Sequence, residues 1–217
     1  MNFKAVIFDM DGVIFDSERI GLQEWIKLGE KYSIPDIAQV YPKCIGVNAV
    51  YSKRIFTEHY GENFPYDSYR QEIFKEIDKN YGNGKMPLKS GIGELLLFLK
   101  EMEWHVGLAS STQQEVVKRL LYNAELLPYF ETLTCGDMVK KSKPEPDIFL
   151  KAAETLGVKP EECIVIEDSY NGIRAASKAG MFSIMIPDMF APDEEMKQLA
   201  SAIFNNLHEV REFLRIQ

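Results

Sequence analysis

The chain has 217 residues, 46% hydrophobic and 27% charged, with a formal net charge of −8. That length holds one sizeable core, or a core with a small accessory domain, and the composition excludes a disordered or low-complexity chain. The acidic balance argues against nucleic acid or an anionic membrane surface as the main partner, so an anionic substrate would need local positive charge or a metal. No apolar run approaches the ~20 residues of a membrane span. The start lacks a basic-then-apolar export pattern, because Asp9 and Asp11 interrupt it. Cys44, Cys135 and Cys163 are widely spaced and form no C-x-x-C, which reads as reduced thiols in a cytoplasmic protein.

The first element, KAVIF (4–8), is an apolar strand that ends at two carboxylates, Asp9 and Asp11, followed by Gly12. Like charges that close repel, and burial raises the cost. Asp16 and Ser17 then read as the N-cap of a helix. From 17 to 82 the pattern is helical, as in Tyr69, Ile73, Phe74, Ile77 and Tyr81, with no strand, and it ends at YGNGKMP. This stretch is expected to be a helical cap, residues 17–82, inserted into a core made of 1–16 and 83–217. Its loop CIGVNAVYSKR (44–54) is either a substrate contact, with Gly46 permitting close approach, or a plain helix start capped by Asn48.

Beyond the insert, strands and helices alternate. Ile92, Leu95, Leu96 and Leu99 form a helical stripe before the strand WHVGLA (104–109). Val116, Val117, Leu120 and Leu121 form a second stripe, before ETLTC (131–135). Ile148, Phe149, Ala152, Ala153 and Leu156 form a third, before CIVIE (163–167) and FSIMI (182–186). A short strand at SAIF (201–204) and a last helix close the core, and no chemistry is visible there. This alternation predicts an α/β fold, a Rossmann-like parallel sheet with helices on both faces and right-handed crossovers.

Polar signals collect at the carboxyl ends of these strands, where ligands bind in open α/β sheets. Asp9 and Asp11 follow the first strand, Ser110 the second, Lys143 lies after the third, and Glu167 and Asp168 end the fourth. Each has a plain reading alone: Ser110 as a cap, Lys143 as a solvated charge, Glu167-Asp168-Ser169 as an acidic helix start. Together they gather four carboxylates, a hydroxyl and an ammonium at one sheet edge. His59, His105 and His208 are scattered and read as non-ligands.

DMDGV, ASST, SKPEP and EDS, in that order, resemble the four motifs of the haloacid dehalogenase superfamily of aspartate-nucleophile phosphotransferases. The layout of an insert after the first motif is similar to that of its phosphatases and β-phosphoglucomutases. The resemblance implies Mg²⁺ held by Asp9, the Asp11 backbone carbonyl and Asp168, with Glu167 a ligand through water or a supporting partner. It implies Asp9 as nucleophile forming an aspartyl-phosphate, and Asp11 as general acid and base. Ser110, the amides of Ser111 and Thr112, and Lys143 would then surround the phosphoryl group.

Within that family, Asp11 and the Glu167–Asp168 pair argue against halide displacement. The mutase pattern places a His at Gly21, an Arg at Ala49 and a Lys at Gln113, so two cations are missing here from a second phosphate site, unless Lys53 or Arg54 compensates. The expected function is therefore hydrolysis of a small phosphorylated metabolite, such as a sugar or polyol phosphate, by a monomer or weak dimer. A β-phosphoglucomutase-type mutase is the alternative. A phosphorylatable regulatory protein is a third reading, disfavoured by the inserted lid and by the position of Asp9 after the first strand.

Overall fold

A computed structural model describes residues 3–216. The strands are β1 Ala5–Phe8, β2 His105–Ser110, β3 Thr132–Cys135, β4 Cys163–Glu167, β5 Phe182–Met185 and β6 Ala202–Ile203. They form one parallel sheet in the order β3-β2-β1-β4-β5-β6. The apolar runs mark these strands well. β2 starts one residue later than the pattern suggests and takes in Ser110, which pairs with Cys135.

β1 is wholly buried because helices cover both sheet faces. The two-residue alternation sends Val6 and Phe8 to one face, with Leu95 and Leu99 of α5 Ile92–Glu101, Val117 and Leu121 of α6 Gln114–Asn123, and Val210 of α10 Leu207–Leu214. Ala5 and Ile7 face the other side, against Phe149 and Ala152 of α7 Asp147–Leu156 and Ala175 and Ala176 of α8 Tyr170–Lys178. A short helix, α9 Glu194–Leu199, precedes β6. No described helix is long and apolar enough to cross a membrane.

Between β1 and α5 lie four helices, α1 Ser17–Tyr32, α2 Ile37–Val40, α3 Ala49–Tyr60 and α4 Tyr66–Tyr81, and no described strand. They bury their own cluster, in which the Trp25 ring lies 4.4 Å from Phe56 and 5.8 Å from Tyr66. Such aromatic contacts carry much of a small core's energy. Ile73 of α4 is buried in this cluster with Ile77 packed against it, and Ile73, Phe74, Ile77 and Tyr81 all line the cleft beneath. Val116 and Leu120 of α6 line the same cleft from the sheet side.

The two connections of the insert run side by side. Asp16 N–H donates to Pro87 O at 2.9 Å and Lys89 N–H to Ile14 O at 2.8 Å, around an antiparallel bridge between Phe15 and Leu88. Chain order reverses at β1, which sits between β2 and β4, and the insert stands over the carboxyl ends of those three strands. That crevice is where an open parallel sheet accepts ligands.

Candidate active site

Asp9 N–H donates to Ile166 O at 2.9 Å, prolonging the β1–β4 ladder by one residue and fixing Asp9 at the junction of the two strands. Its Oδ1 accepts from Lys143 Nζ at 2.5 Å. The same ammonium donates to Glu167 Oε1 at 2.7 Å and to Ala109 O at 3.3 Å. Lys143 is 1% exposed, so the loop before α7 delivers it inward, and the Phe149 ring lies 4.8 Å from Nζ. Glu167 Oε2 accepts from Ser169 N–H at 2.7 Å, which engages both of its oxygens.

Asp168, 4% exposed, accepts no hydrogen bond from any described residue. Carboxylate oxygens of Asp9, Glu167 and Asp168 lie within 4.8 Å of one another. One ammonium faces three buried carboxylates. Burial pushes Asp9 up to about 8, Glu167 and Asp11 add to this, and the ion pair with Lys143 does not outweigh them. Burial, then Glu167 and Asp9, holds Asp168 well above the ordinary carboxylate range. For Lys143, burial works against the charge, but Asp9 and Glu167 overcome it and the ammonium stays protonated. An unpartnered buried carboxylate in a net-negative cluster of hard oxygens is what a divalent cation such as Mg²⁺ requires. Asp9, Glu167 and Asp168 are the residues whose oxygens could share such an ion.

Gly12 has φ +81°, and a Cβ there would collide with the Asp168 carboxylate, so this glycine answers both the turn and the close approach of β4. Gly172 plays the matching part in α8, where a Cβ would strike the Glu167 carboxylate.

The Asp11 carboxylate is held by hydroxyls: Ser17 Oγ donates to Oδ1 at 2.6 Å and Thr112 Oγ1 to Oδ2 at 2.9 Å, with Ser110 Oγ farther off at 3.5 Å. Here the structure departs from the expected capping. Asp16 makes no cap hydrogen bond and instead lies 3.4 Å from Arg19 and 3.6 Å from Lys89, while Ser17 orients Asp11. The expected cradle of amides also differs. Thr112 N–H donates to the fully buried Ser110 Oγ at 3.1 Å, and α6 begins only at Gln114.

Ser111 and Gly46 meet each other: Ser111 Oγ donates to Gly46 O at 3.0 Å. Asn171 Nδ2 donates to Ile45 O at 3.0 Å, and Asn48 N–H donates to Ser142 Oγ at 2.8 Å. The loop 44–48 is thereby stitched to the sheet-end loops. The close approach that Gly46 permits, at φ +78°, is to Ser169. Asn48 does cap α3, its Oδ1 accepting from Tyr51 N–H at 3.1 Å.

Three residues of the site carry no motif. Glu18, on the first turn of α1, lines the cleft and accepts from the hydroxyl of Tyr41 at 3.2 Å. Asp188, past β5, has a carboxylate 1% exposed that accepts from Arg19 and Lys89, each at 2.9 Å. It thus grips both connections of the insert. The signal for Glu18 was its helical spacing with Gly21 and Trp25, all on the cleft. Asp188 gave none.

Fold and site together define an α/β protein with a buried carboxylate cluster at the sheet end, beneath a helical insert. Residues 3–180 match the family model of haloacid dehalogenase-like hydrolases. The chain belongs to that family. It is 32% identical to the phosphorylated carbohydrates phosphatase of Thermotoga maritima over 82% of both chains. It is also 32% identical to the beta-phosphoglucomutase of Bacillus subtilis, over 99% of this chain and 98% of that one. Among solved structures, the beta-phosphoglucomutase of Clostridium difficile superposes with a TM-score of 0.81 at 25% identity, over 99% of this chain and 96% of that chain.

Proposed function

We propose that this chain is a Mg²⁺-dependent phosphatase of a small sugar or polyol phosphate, acting through an aspartyl-phosphate on Asp9. The observation that carries the reading is the buried Asp9–Lys143–Glu167–Asp168 cluster at the β1–β4 junction. The bound metal would offset the repulsion between a carboxylate nucleophile and a phosphate dianion.

Asp9 Oδ2, free of Lys143, attacks phosphorus. The ester oxygen leaves with its electron pair and takes a proton from Asp11, whose carboxyl group is held by the hydroxyls of Ser17 and Thr112. Water then attacks phosphorus, Asp11 recovers a proton from it, and the Asp9 carboxylate is released. Lys143 balances charge on Asp9 throughout.

Relatives of both kinds, phosphatase and mutase, are equally identical to this chain, so its own residues must decide. A mutase holds a second phosphate. Here the Tyr41 hydroxyl occupies the space that a side chain at Gly21 would need, and Ala49 on the cleft carries no charge. Lys53 pairs with Asp67 at 2.5 Å and Arg54 with Glu58 at 3.1 Å, both exposed and off the cleft wall. These features support hydrolysis.

The test is phosphate release from sugar, polyol, glycolate and nucleotide monophosphates with and without Mg²⁺, beside conversion of β-glucose 1-phosphate to glucose 6-phosphate. Metal-dependent release is expected. Efficient isomer conversion with little release would overturn it in favour of the mutase.

A further inference from the structure

We propose that Glu18 and Tyr41 form a specificity element that reads a hydroxyl of the leaving group, and that this group is neutral and polyhydroxylated; the inference rests on the phosphatase reading above. Glu18 stands seven residues past Asp11, on the side of α1 that also presents Gly21 and Trp25 to the cleft. Because Gly21 has no side chain, the Tyr41 hydroxyl fits against α1 and donates to Glu18 Oε2 at 3.2 Å. Oε1 accepts from no described residue. The charged groups acting most strongly on Glu18 are Asp11, Asp9 and Asp188, all acidic.

A carboxylate in such surroundings gains from any donor that reaches it and repels any anion. A hydroxyl carbon away from the ester oxygen supplies that donor. A carboxylate or second phosphate in the same place would face Glu18 with no cation beside it. The arginines on the cleft wall belong to α4 and α6: Arg119 is paired with Asp78, and Arg70 lies over the Phe74 ring at 4.3 Å. Burial and its acidic neighbours hold the Glu18 carboxyl above its ordinary range in the unliganded protein, and a hydroxyl donating to it would draw it back towards the charged form.

The test compares kcat/KM in Mg²⁺ for a hexitol phosphate, phosphoglycolate and para-nitrophenyl phosphate, using the full chain and Glu18→Ala, Glu18→Gln, Tyr41→Phe and Arg70→Met. The unaltered protein should prefer the hexitol ester to both others. Glu18→Ala should lower the hexitol-to-aryl ratio by about tenfold or more. Glu18→Gln, which keeps the shape and removes the charge, should lower the hexitol-to-glycolate ratio. It also serves if the alanine variant fails to fold. Tyr41→Phe should move the hexitol ratio in the same direction by a smaller factor.

Equal loss on all three esters in the Glu18 variants, no loss, a wild-type preference for phosphoglycolate, or a ratio governed by Arg70 instead would overturn the assignment. Absence of phosphate release from every ester by the unaltered protein would overturn the phosphatase reading itself, a different result from turnover without discrimination.

Discussion

Lys143 Nζ meets Asp9 Oδ1 at 2.5 Å across 134 positions of chain, and no other ammonium enters the cluster among the described residues. The pair binds the loop before α7 to the end of β1. It also sets the electrostatics of everything nearby, because the remaining carboxylates share this one cation.

If Asp9 is the nucleophile, Asp9→Asn should reduce phosphate release by about a thousandfold or more. The fold should persist, because the substitution leaves the backbone N–H at position 9 and the β1 register as they are. Circular dichroism melts beside a phosphate assay check both. Substantial residual turnover would remove Asp9 from that role.

Lys143→Met fills similar space but leaves Asp9 and Glu167 without their buried partner. Loss of one member of such a pair costs about 3–5 kcal/mol. Urea unfolding in EDTA should show that loss, and added Mg²⁺ should recover part of it. A variant as stable as the parent in EDTA would contradict the charge balance described here.

The pH dependence has a definite sign. Asp9 is raised from 3.8 to about 8 in the folded protein, so between those values the native state holds a proton that the unfolded chain has lost. Stability of metal-free protein must then fall as pH rises through that window, by up to about 1.4 kcal/mol per unit for one group. Asp168 and Glu18 act in the same direction. Melting temperatures in EDTA should decline from about pH 5 to about pH 8, and the increment from Mg²⁺ should grow over the same range. A flat profile would sink the account.

Gly172→Ala offers a sign inversion. Alanine inside a helix normally gains about 1 kcal/mol over glycine. Here its Cβ would strike the Glu167 carboxylate, so the variant should melt below the parent and bind Mg²⁺ more weakly by calorimetry. Stabilisation would show that Glu167 is not packed against α8.

Asp188→Ala should loosen the paired connections of the insert without disturbing the sheet. Amide exchange at residues 14–16 and 87–89 should accelerate relative to β1 and β4, with overall stability reduced by about 1.5–3 kcal/mol. Uniform protection would deny Asp188 that function.

Much of this was legible in the sequence because strands announce themselves. Apolar runs bounded by turn residues located every strand to within a residue or so, and Asp9, Glu167 and Asp168 are fixed by their position at strand ends. Helical faces are harder to read. Spacing shows that Ile73, Ile77 and Tyr81 share a side of α4, but not that this side borders a cleft as well as the insert's core. Ser17 looks like an ordinary capping residue, and Thr112 like the supplier of a backbone amide, until the fold brings Asp11 between their hydroxyls. Tyr41 and Glu18, 23 positions apart, are joined only by tertiary packing. Asp188 lies in a stretch that reads as simple closure of the domain, and its worth depends on Arg19 and Lys89, which belong to other elements.

The paired segments 14–16 and 87–89 make the insert a cassette. Its two ends leave the sheet as neighbours joined by hydrogen bonds, so the body of four helices can be exchanged or remodelled without altering the path of any strand. Selection could thus rewrite the helical wall that faces the sheet end while the carboxylate cluster there is inherited intact.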